Sequence, residues 1–271
     1  MPHDRLIRPV LHACMLVTAA LSLAACDIVV NSMEGGRAKA EQLWERSYTL
    51  AGADTRIEIV NTNGTISVEA ADGAAVEVKA TITARGGTEE AAKEALGKVE
   101  IREDAGGSSV RLEARYPKTL GRQGVTVSFT LKVPASVKVD LATVNGTIRL
   151  TGVQAGVKAE TTNGSIEGTG LGGAIVAGTT NGSIKLSLAG LGENGIQAET
   201  TNGSIELKLP EALKATISAR CVNGGISVSD LPFEKTGEGT RRKVDGTING
   251  GGAPLNLETV NGSIRIGRRV S

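Results

Sequence analysis

The feature that most constrains this chain is a four-residue motif, Asn-Gly-Ser/Thr-Ile, which starts at Asn63, Asn145, Asn163, Asn181, Asn202 and Asn261. A variant with Gly225 in third place starts at Asn223, and Asp245-Gly246-Thr247-Ile248 is a more distant relative. From Asn145 to Asn223 the spacings are 18, 18, 21 and 21 residues. A near-constant period of this size means that each repeat is one supersecondary unit, which buries its apolar face only against its neighbours. Apolar residues alternate on both sides of the motif, for example Val157-Ala159 before Asn163 and Ile184-Leu186-Leu188 after Asn181. That period of two belongs to half-buried strands. Each unit therefore reads strand, Asn-Gly corner, strand, return.

Two architectures satisfy this pattern. Asn-Gly between alternating strands is a strong hairpin signal, which gives an antiparallel meander. The alternative is a solenoid in which each repeat is one coil and like strands stack in parallel. Three details favour the solenoid. The residue two before the Asn is Thr143, Thr161, Thr179, Thr200 and Thr259, with Cys221 as the exception, and a hairpin has no use for such a column. The Asn has the same inward parity, so its amide is expected to bond the equivalent Asn on the next coil. The outward residue after each Ile reads Arg149, Glu167, Lys185, Glu206. Those alternating charges become neighbours ~4.8 Å apart only if the coils stack. The Gly after each Asn is expected to supply a positive φ at the corner. The expected ladder comprises Asn63, Asn145, Asn163, Asn181, Asn202, Asn223 and Asn261.

The stretch 51–135 carries one repeat unit and then departs from the pattern. An alternating strand over Val76–Ala84 leads to a helix over Thr88–Leu96, with Thr88 as its cap, Glu89 and Glu90 in its first turn and Gly97 at its end. Further strands follow to Val133-Pro134. The order Asn-Gly-Thr-Ile, strand, helix, strands, Val-Pro and serial Asn-Gly-Ser-Ile coils resembles the bacterial putative-adhesin family of β-solenoid domains, over roughly residues 51 to 267. The resemblance implies an adhesin-like surface role and brings no catalytic residues. The expected fold is all-β: a parallel β-solenoid with coils of about 18–21 residues over 136–271, closed at its start by the strand and helix part 51–135.

Ahead of this lies a different kind of sequence. Arg5 and Arg8 precede an apolar run from Val10 to Ala25, too short and too Ala-rich for a good membrane span. It ends in Leu23-Ala24-Ala25-Cys26, which resembles the lipobox of bacterial lipoproteins. Residues 1–25 are read as a lipoprotein signal peptide and Cys26 as the lipidated residue, with 26–50 as a polar tether carrying a helical turn near Trp44. Multiple acyl chains, at ~0.8 kcal/mol per buried methylene, make a stable anchor. The expected location is the bacterial cell envelope, on the inner or the outer membrane.

Removing the leader sharpens what chemistry is left. Both histidines, His3 and His12, lie in it, as does Cys14. The 30 basic and 29 acidic residues lose Arg5, Arg8 and Asp4, which leaves the two signs equal. A chain without His has no Ser/His/Asp system and no His-containing metal site, and a balanced charge gives nucleic acid no footprint. Neither a catalytic site nor a cofactor nor a metal is expected. The candidate acids for a carbohydrate-active alternative are Glu160, Glu199, Glu258, Glu167 and Glu206. Aromatic residues are too few for a stacking platform: Trp44, Tyr48, Tyr116, Phe129 and Phe233. Binding would instead use Ser/Thr rows, with Thr147, Ser165, Ser183, Ser204 and Ser263 beside Thr162, Thr180 and Thr201. The reading is a non-enzymatic lipoprotein that binds or scaffolds at the envelope, its partners being the membrane through Cys26 and an envelope protein or cell-wall glycan. A polymerising solenoid is the structural alternative. The final coil is expected at the open end, blunted by Arg268 and Arg269 and by a lid from the 231–255 insertion, giving a monomer.

Overall fold

The structure is a computed structural model that describes residues 28–34, 37–52, 54–116 and 124–269. The leader and Cys26 lie outside the described residues. In chain order the first elements are β1 (Ile28–Glu34), β2 (Arg37–Thr49), β3 (Arg56–Val60), β4 (Ile66–Ala71), β5 (Ala75–Gly86), α1 (Glu89–Leu96), β6 (Glu100–Gly106), β7 (Ser109–Arg115) and β8 (Gly124–Pro134). Strand pairs around the repeated corners follow: β9 (Lys138–Asn145) with β10 (Ile148–Thr151), β11 (Val157–Asn163) with β12 (Ile166–Leu171), β13 (Ile175–Asn181) with β14 (Ile184–Leu188), and β15 (Ile196–Asn202) with β16 (Ile205–Leu209). The last are β17 (Ala215–Asn223), β18 (Ile226–Val228), β19 (Phe233–Lys235), β20 (Lys243–Ile248), β21 (Ala253–Asn261) and β22 (Ile264–Arg268).

The coils stack in parallel and in register, as a solenoid requires. Thr161 faces Thr143 and Thr179, Ala159 faces Leu141 and Ala177, and Ile166 faces Ile148 and Ile184. Two eleven-stranded sheets result, in the orders β1-β2-β5-β8-β4-β10-β12-β14-β16-β22-β18 and β6-β7-β3-β9-β11-β13-β15-β21-β17-β20-β19. One apolar cluster runs between them from Ile57 and Val76 to Leu255 and Ile266. The coils are narrow because large residues meet small ones: the place of a side chain at Gly168 is filled by Leu171 and Leu186. The step from 18 to 21 residues comes from a return that lengthens from 172–174 to 189–195 after a strand one residue shorter.

The start of the stack is closed as the sequence suggests. Strand β8 joins β4 in parallel and β5 and β2 follow antiparallel, β7 joins β3 in parallel with β6 antiparallel beyond it, and α1 buries Ala92, Ala95 and Leu96. Thr88 caps the helix by accepting from the Ala91 N–H at 3.2 Å. The corner around Asn63 already stands in the stack beside that of Asn145, so the core runs unbroken through residue 135.

Three expectations change. Around Trp44 there is no helical turn: the chain is extended in β2 and pairs with β5 from Ala38 to Thr49. The physical reason is a period of two hidden among polar residues, with Trp44 and Tyr48 packed against the core and Glu45, Ser47 and Thr49 exposed. Second, the final coil is not at the end. Strand β21 lies between β15 and β17, and β22 lies between β16 and β18. Arg268 therefore pairs with Glu211 at 3.1 Å and Arg269 donates to the Leu188 carbonyl, instead of guarding an edge. The insertion does cover the true end. Strand β20 pairs antiparallel with β17, and the Arg241 and Arg242 carbonyls accept from the Ile226 and Cys221 N–H groups. At this end the edge strands, β18 and β19, are three residues each, which leaves little for a foreign strand to pair with.

Third, the corner glycines are needed for closeness, with positive φ only at Gly64 (127°) and Gly224 (154°). At Gly146, Gly164, Gly182, Gly203 and Gly262 a Cβ would collide with the carbonyl oxygen of the corner glycine in the neighbouring coil. Gly182→Ala is therefore expected to cost about 1–3 kcal/mol of stability in urea unfolding, the range for overpacking. Gly190→Ala, which meets nothing within 4 Å, should leave the midpoint almost unchanged.

Candidate binding surface

Each corner disposes of its polar groups in the same way. The Gly146, Gly164, Gly182, Gly203 and Gly262 N–H groups donate to the Asn163, Asn181, Asn202, Asn261 and Asn223 carbonyls on the adjoining coil at 3.0–3.1 Å. The Thr161, Thr179, Thr200 and Thr259 hydroxyls donate back to the Gly146, Gly164, Gly182 and Gly203 carbonyls at 2.8–3.0 Å. Those threonines are buried. The threonine column thus satisfies carbonyls that the close glycine stacking would otherwise leave dry.

The asparagines form one continuous column. In the order Asn63, Asn145, Asn163, Asn181, Asn202, Asn261, Asn223, the Nδ2 of every member after the first donates to the Oδ1 of the one before it at 2.8–2.9 Å. Their expected inward parity is overturned: from Asn145 onward all six are exposed. The strand has reached its corner by that residue, so the amide lies along the stack instead of pointing into it. At the first coil Asn61 takes the threonine position and donates to the Val127 carbonyl at 2.8 Å. Tyr116 donates to Asn61 Oδ1 at 2.7 Å, and burial pushes its hydroxyl up to about 12. Asn61 and Tyr116 were missed in the sequence because Asn61 replaces the recurring threonine at that position and Tyr116 lies outside the repeat.

What remains for a ligand is the outward face of the sheet that carries β9, β11, β13, β15, β21 and β17. Two rows run along it. One is Val144, Thr162, Thr180, Thr201, Val260, Val222, and the other is Ala142, Glu160, Gly178, Glu199, Glu258, Arg220. A shallow groove of about 680 Å³ follows them, deepened where Gly178 leaves a notch between Glu160 and Glu199. Glu160 holds Lys158 at 3.1 Å, and this with Asp140 raises the pKa of that ammonium. Arg220 meets Glu258 at 3.6 Å. At the far end the Ser218 hydroxyl, with Lys243, keeps the Asp245 carboxyl below its usual range.

The candidate acids divide between the two sheets. Glu160, Glu199 and Glu258 share the row above, whereas Glu167 and Glu206 lie in the charge column Arg149, Glu167, Lys185, Glu206, Arg265 on the other sheet. Arg149 meets Glu167 there at 3.2 Å. Glu160, Glu199 and Glu258 are all exposed, without the apolar enclosure a general acid needs. Of the two expected hydroxyl rows, Thr162, Thr180 and Thr201 are exposed. Thr147, Ser165, Ser183, Ser204 and Ser263 are half-buried, and Ser165 and Ser204 accept from the Ser183 and Ser263 N–H groups at 3.3 Å. Among the described residues no cluster of three His, Cys, Asp or Glu could hold a metal.

One threonine breaks the pattern. The Thr143 hydroxyl is buried without a partner, and the Gly64 carbonyl that the pattern would give it is met instead by the Asn61 amide at 3.4 Å. Thr143→Val is therefore expected to be neutral or stabilising by up to about 1 kcal/mol, while Thr179→Val should cost about 1 kcal/mol through the lost bond to Gly164. Thermal or urea unfolding of the two variants reads the difference in sign.

No curated protein matches the chain. Among solved structures, a putative cell adhesion protein from Clostridium sporogenes is similar at 15% identity and a TM-score of 0.50, over 84% of this chain and 100% of that one. A putative adhesin from Bacteroides fragilis is similar at 11% identity and a TM-score of 0.39, over 83% and 96% of the two chains. A putative lipid binding protein from Parabacteroides distasonis is similar at 12% identity and a TM-score of 0.25, over 84% and 97%. At such identities the likeness to the first is one of fold. The profile of the Toastrack DUF4097 family matches residues 128–267, from β8 through the last coil, and on that match over more than half its length the chain belongs to this family.

Proposed function

We propose that this chain is a non-enzymatic lipoprotein of the bacterial cell envelope, anchored through lipid on Cys26, whose solenoid serves as a rigid adhesin-like platform. The observation that carries the reading is the pair of outward rows from Val144 to Val222 and from Ala142 to Arg220. They form a long, flat, chemically mixed surface on a stack whose inward threonines and corner groups are bonded to one another. Such a surface suits an extended partner lying along the stack, a cell-wall glycan strand or an envelope polypeptide. The similar fold of a protein named for cell adhesion supports the same class of role. Among the described residues no helix is long and apolar enough to cross a membrane, and a lipid on Cys26 would supply the anchor.

Two experiments test this. With a fatty-acid probe, cells expressing the wild-type chain should yield a labelled, membrane-bound protein, and Cys26→Ser should remove the label. Equal labelling of both would overturn the anchor. For the platform, Thr180→Lys with Thr201→Lys should reduce, at least tenfold, co-sedimentation with purified cell walls or cross-linking to an envelope protein, with the melting temperature unchanged. Unaltered binding by that variant would move the site off this face. Release of unsaturated product from a uronic-acid polysaccharide would overturn the non-enzymatic reading.

A further inference from the structure

The order of the last coils carries a consequence of its own. Asn202 and Asn223 are 21 residues apart in sequence, the same separation as Asn181 and Asn202, whose coils touch. The loop length and register of β17 and β18 therefore match a coil that stacks directly on β15 and β16. In the structure they do not touch, because β21 and β22 are driven between them. We infer that the terminal coil, residues 253–269, is a withdrawable wedge, and that the slot it leaves accepts the same coil of a second copy of this chain.

Four observations support the inference. With the wedge withdrawn, closing β17 and β18 onto β15 and β16 pairs Ile217 with Ile196, Ala219 with Ala198, Asn223 with Asn202 and Ile226 with Ile205, like on like. It also improves a charge contact. Glu199 now faces Glu258 across the ladder, and Glu258 faces Arg220. Closure brings Glu199 directly against Arg220, and opposite charges on neighbouring strands attract. The wedge enters through Asn249-Gly250-Gly251, three consecutive residues at φ 51°, 80° and 91°, which form a hinge that crosses over β17 from β20. Asn249 is tied by its side chain donating to the Glu211 and Leu213 carbonyls and by a 3.3 Å backbone bond to Pro232, and Gly252 is tied by the Thr216 hydroxyl. Finally, the side-chain tie at the far side of the wedge is the exposed Arg268–Glu211 pair, and an exposed ion pair adds little stability. Exchange of an identical element between two copies needs this combination: a hinge and a slot that accepts the partner's element as well as its own.

The exchange is read by cysteine pairs in the chain from Asp27 onward, with Cys221→Ser so that no native thiol remains. Gln197 and Asn256 are exposed neighbours in the present arrangement. Within one chain, Gln197→Cys with Asn256→Cys should form an intramolecular disulfide and lock the wedge. The two single variants, mixed, warmed to a few degrees below melting, cooled and oxidised, should give the mixed disulfide dimer well above its random proportion over the two homodimers. The locked double variant should give no dimer. A second pair, Glu199→Cys with Arg220→Cys, is separated by the wedge and becomes adjacent only on closure, so its intramolecular bond reports withdrawal itself. Closure without mixed dimer would overturn the second copy as the slot's occupant. Neither cross-link forming, while the locked variant oxidises fully, would overturn the wedge altogether.

Discussion

The approach of one corner glycine to the next governs this molecule. Gly164 sits so close over the Gly146 carbonyl that no side chain fits there, and the same contact recurs at Gly182 over Gly164 and at Gly203 over Gly182. That closeness fixes the rise of the solenoid at its corner, and it also creates a difficulty. A glycine carbonyl covered by the next coil has lost access to water, and an unsatisfied buried acceptor costs about 1–3 kcal/mol. The threonine two residues ahead of each Asn meets that need from within, which is why it is a threonine and why it is buried. The asparagine amides then bridge the same step from outside. Glycine, threonine and asparagine are parts of one device, and the strands on either side inherit their register from it.

This explains why the ends of the stack look as they do. The device needs an equivalent coil on both sides, and where that fails a different residue must intervene. At the first coil Asn61 and Tyr116 take over, since the neighbour there is β8, which has no corner of its own. Thr143, caught between the repeat and this cap, is left with an idle hydroxyl. At the other end Cys221 stands where the threonine would, and the backbone of Arg241 and Arg242 closes the corner.

Much of this was legible in the sequence, since a column of identical residues leaves a period. The parallel stacking followed from Thr143, Thr161, Thr179, Thr200 and Thr259, and the charge column from Arg149 through Glu206 is observed as adjacent pairs. Helix α1 announced itself through Thr88 and Gly97. Other features left no such trace. The asparagines look inward by parity, yet from Asn145 onward each is the last residue of its strand, where the chain turns and the amide lies along the stack. The strand at Arg37–Thr49 is masked by charged residues on its outer face. Most telling is the order of the last coils. Spacing reports which segments are alike, and two like segments compete for the same neighbour. Asn223 and Asn261 fit beside Asn202 equally well by pattern, and only the three-dimensional path of Asn249–Gly252 over β17 determines which of them does.

A fold written as columns also limits where function can reside. Every inward position is tied to the same position on two neighbours, so a change there is felt along the stack. Outward positions carry no such tie. The row Ala142, Glu160, Gly178, Glu199, Glu258, Arg220 holds six residues of four kinds on one line along the stack. Its members are ~4.8 Å apart along the stack, the spacing of neighbouring strands. Whatever reads that line must itself be extended, because a compact ligand would span only two or three rungs of a surface without a deep pocket. Recognition here depends on sequence written at right angles to the chain, one residue taken from each coil.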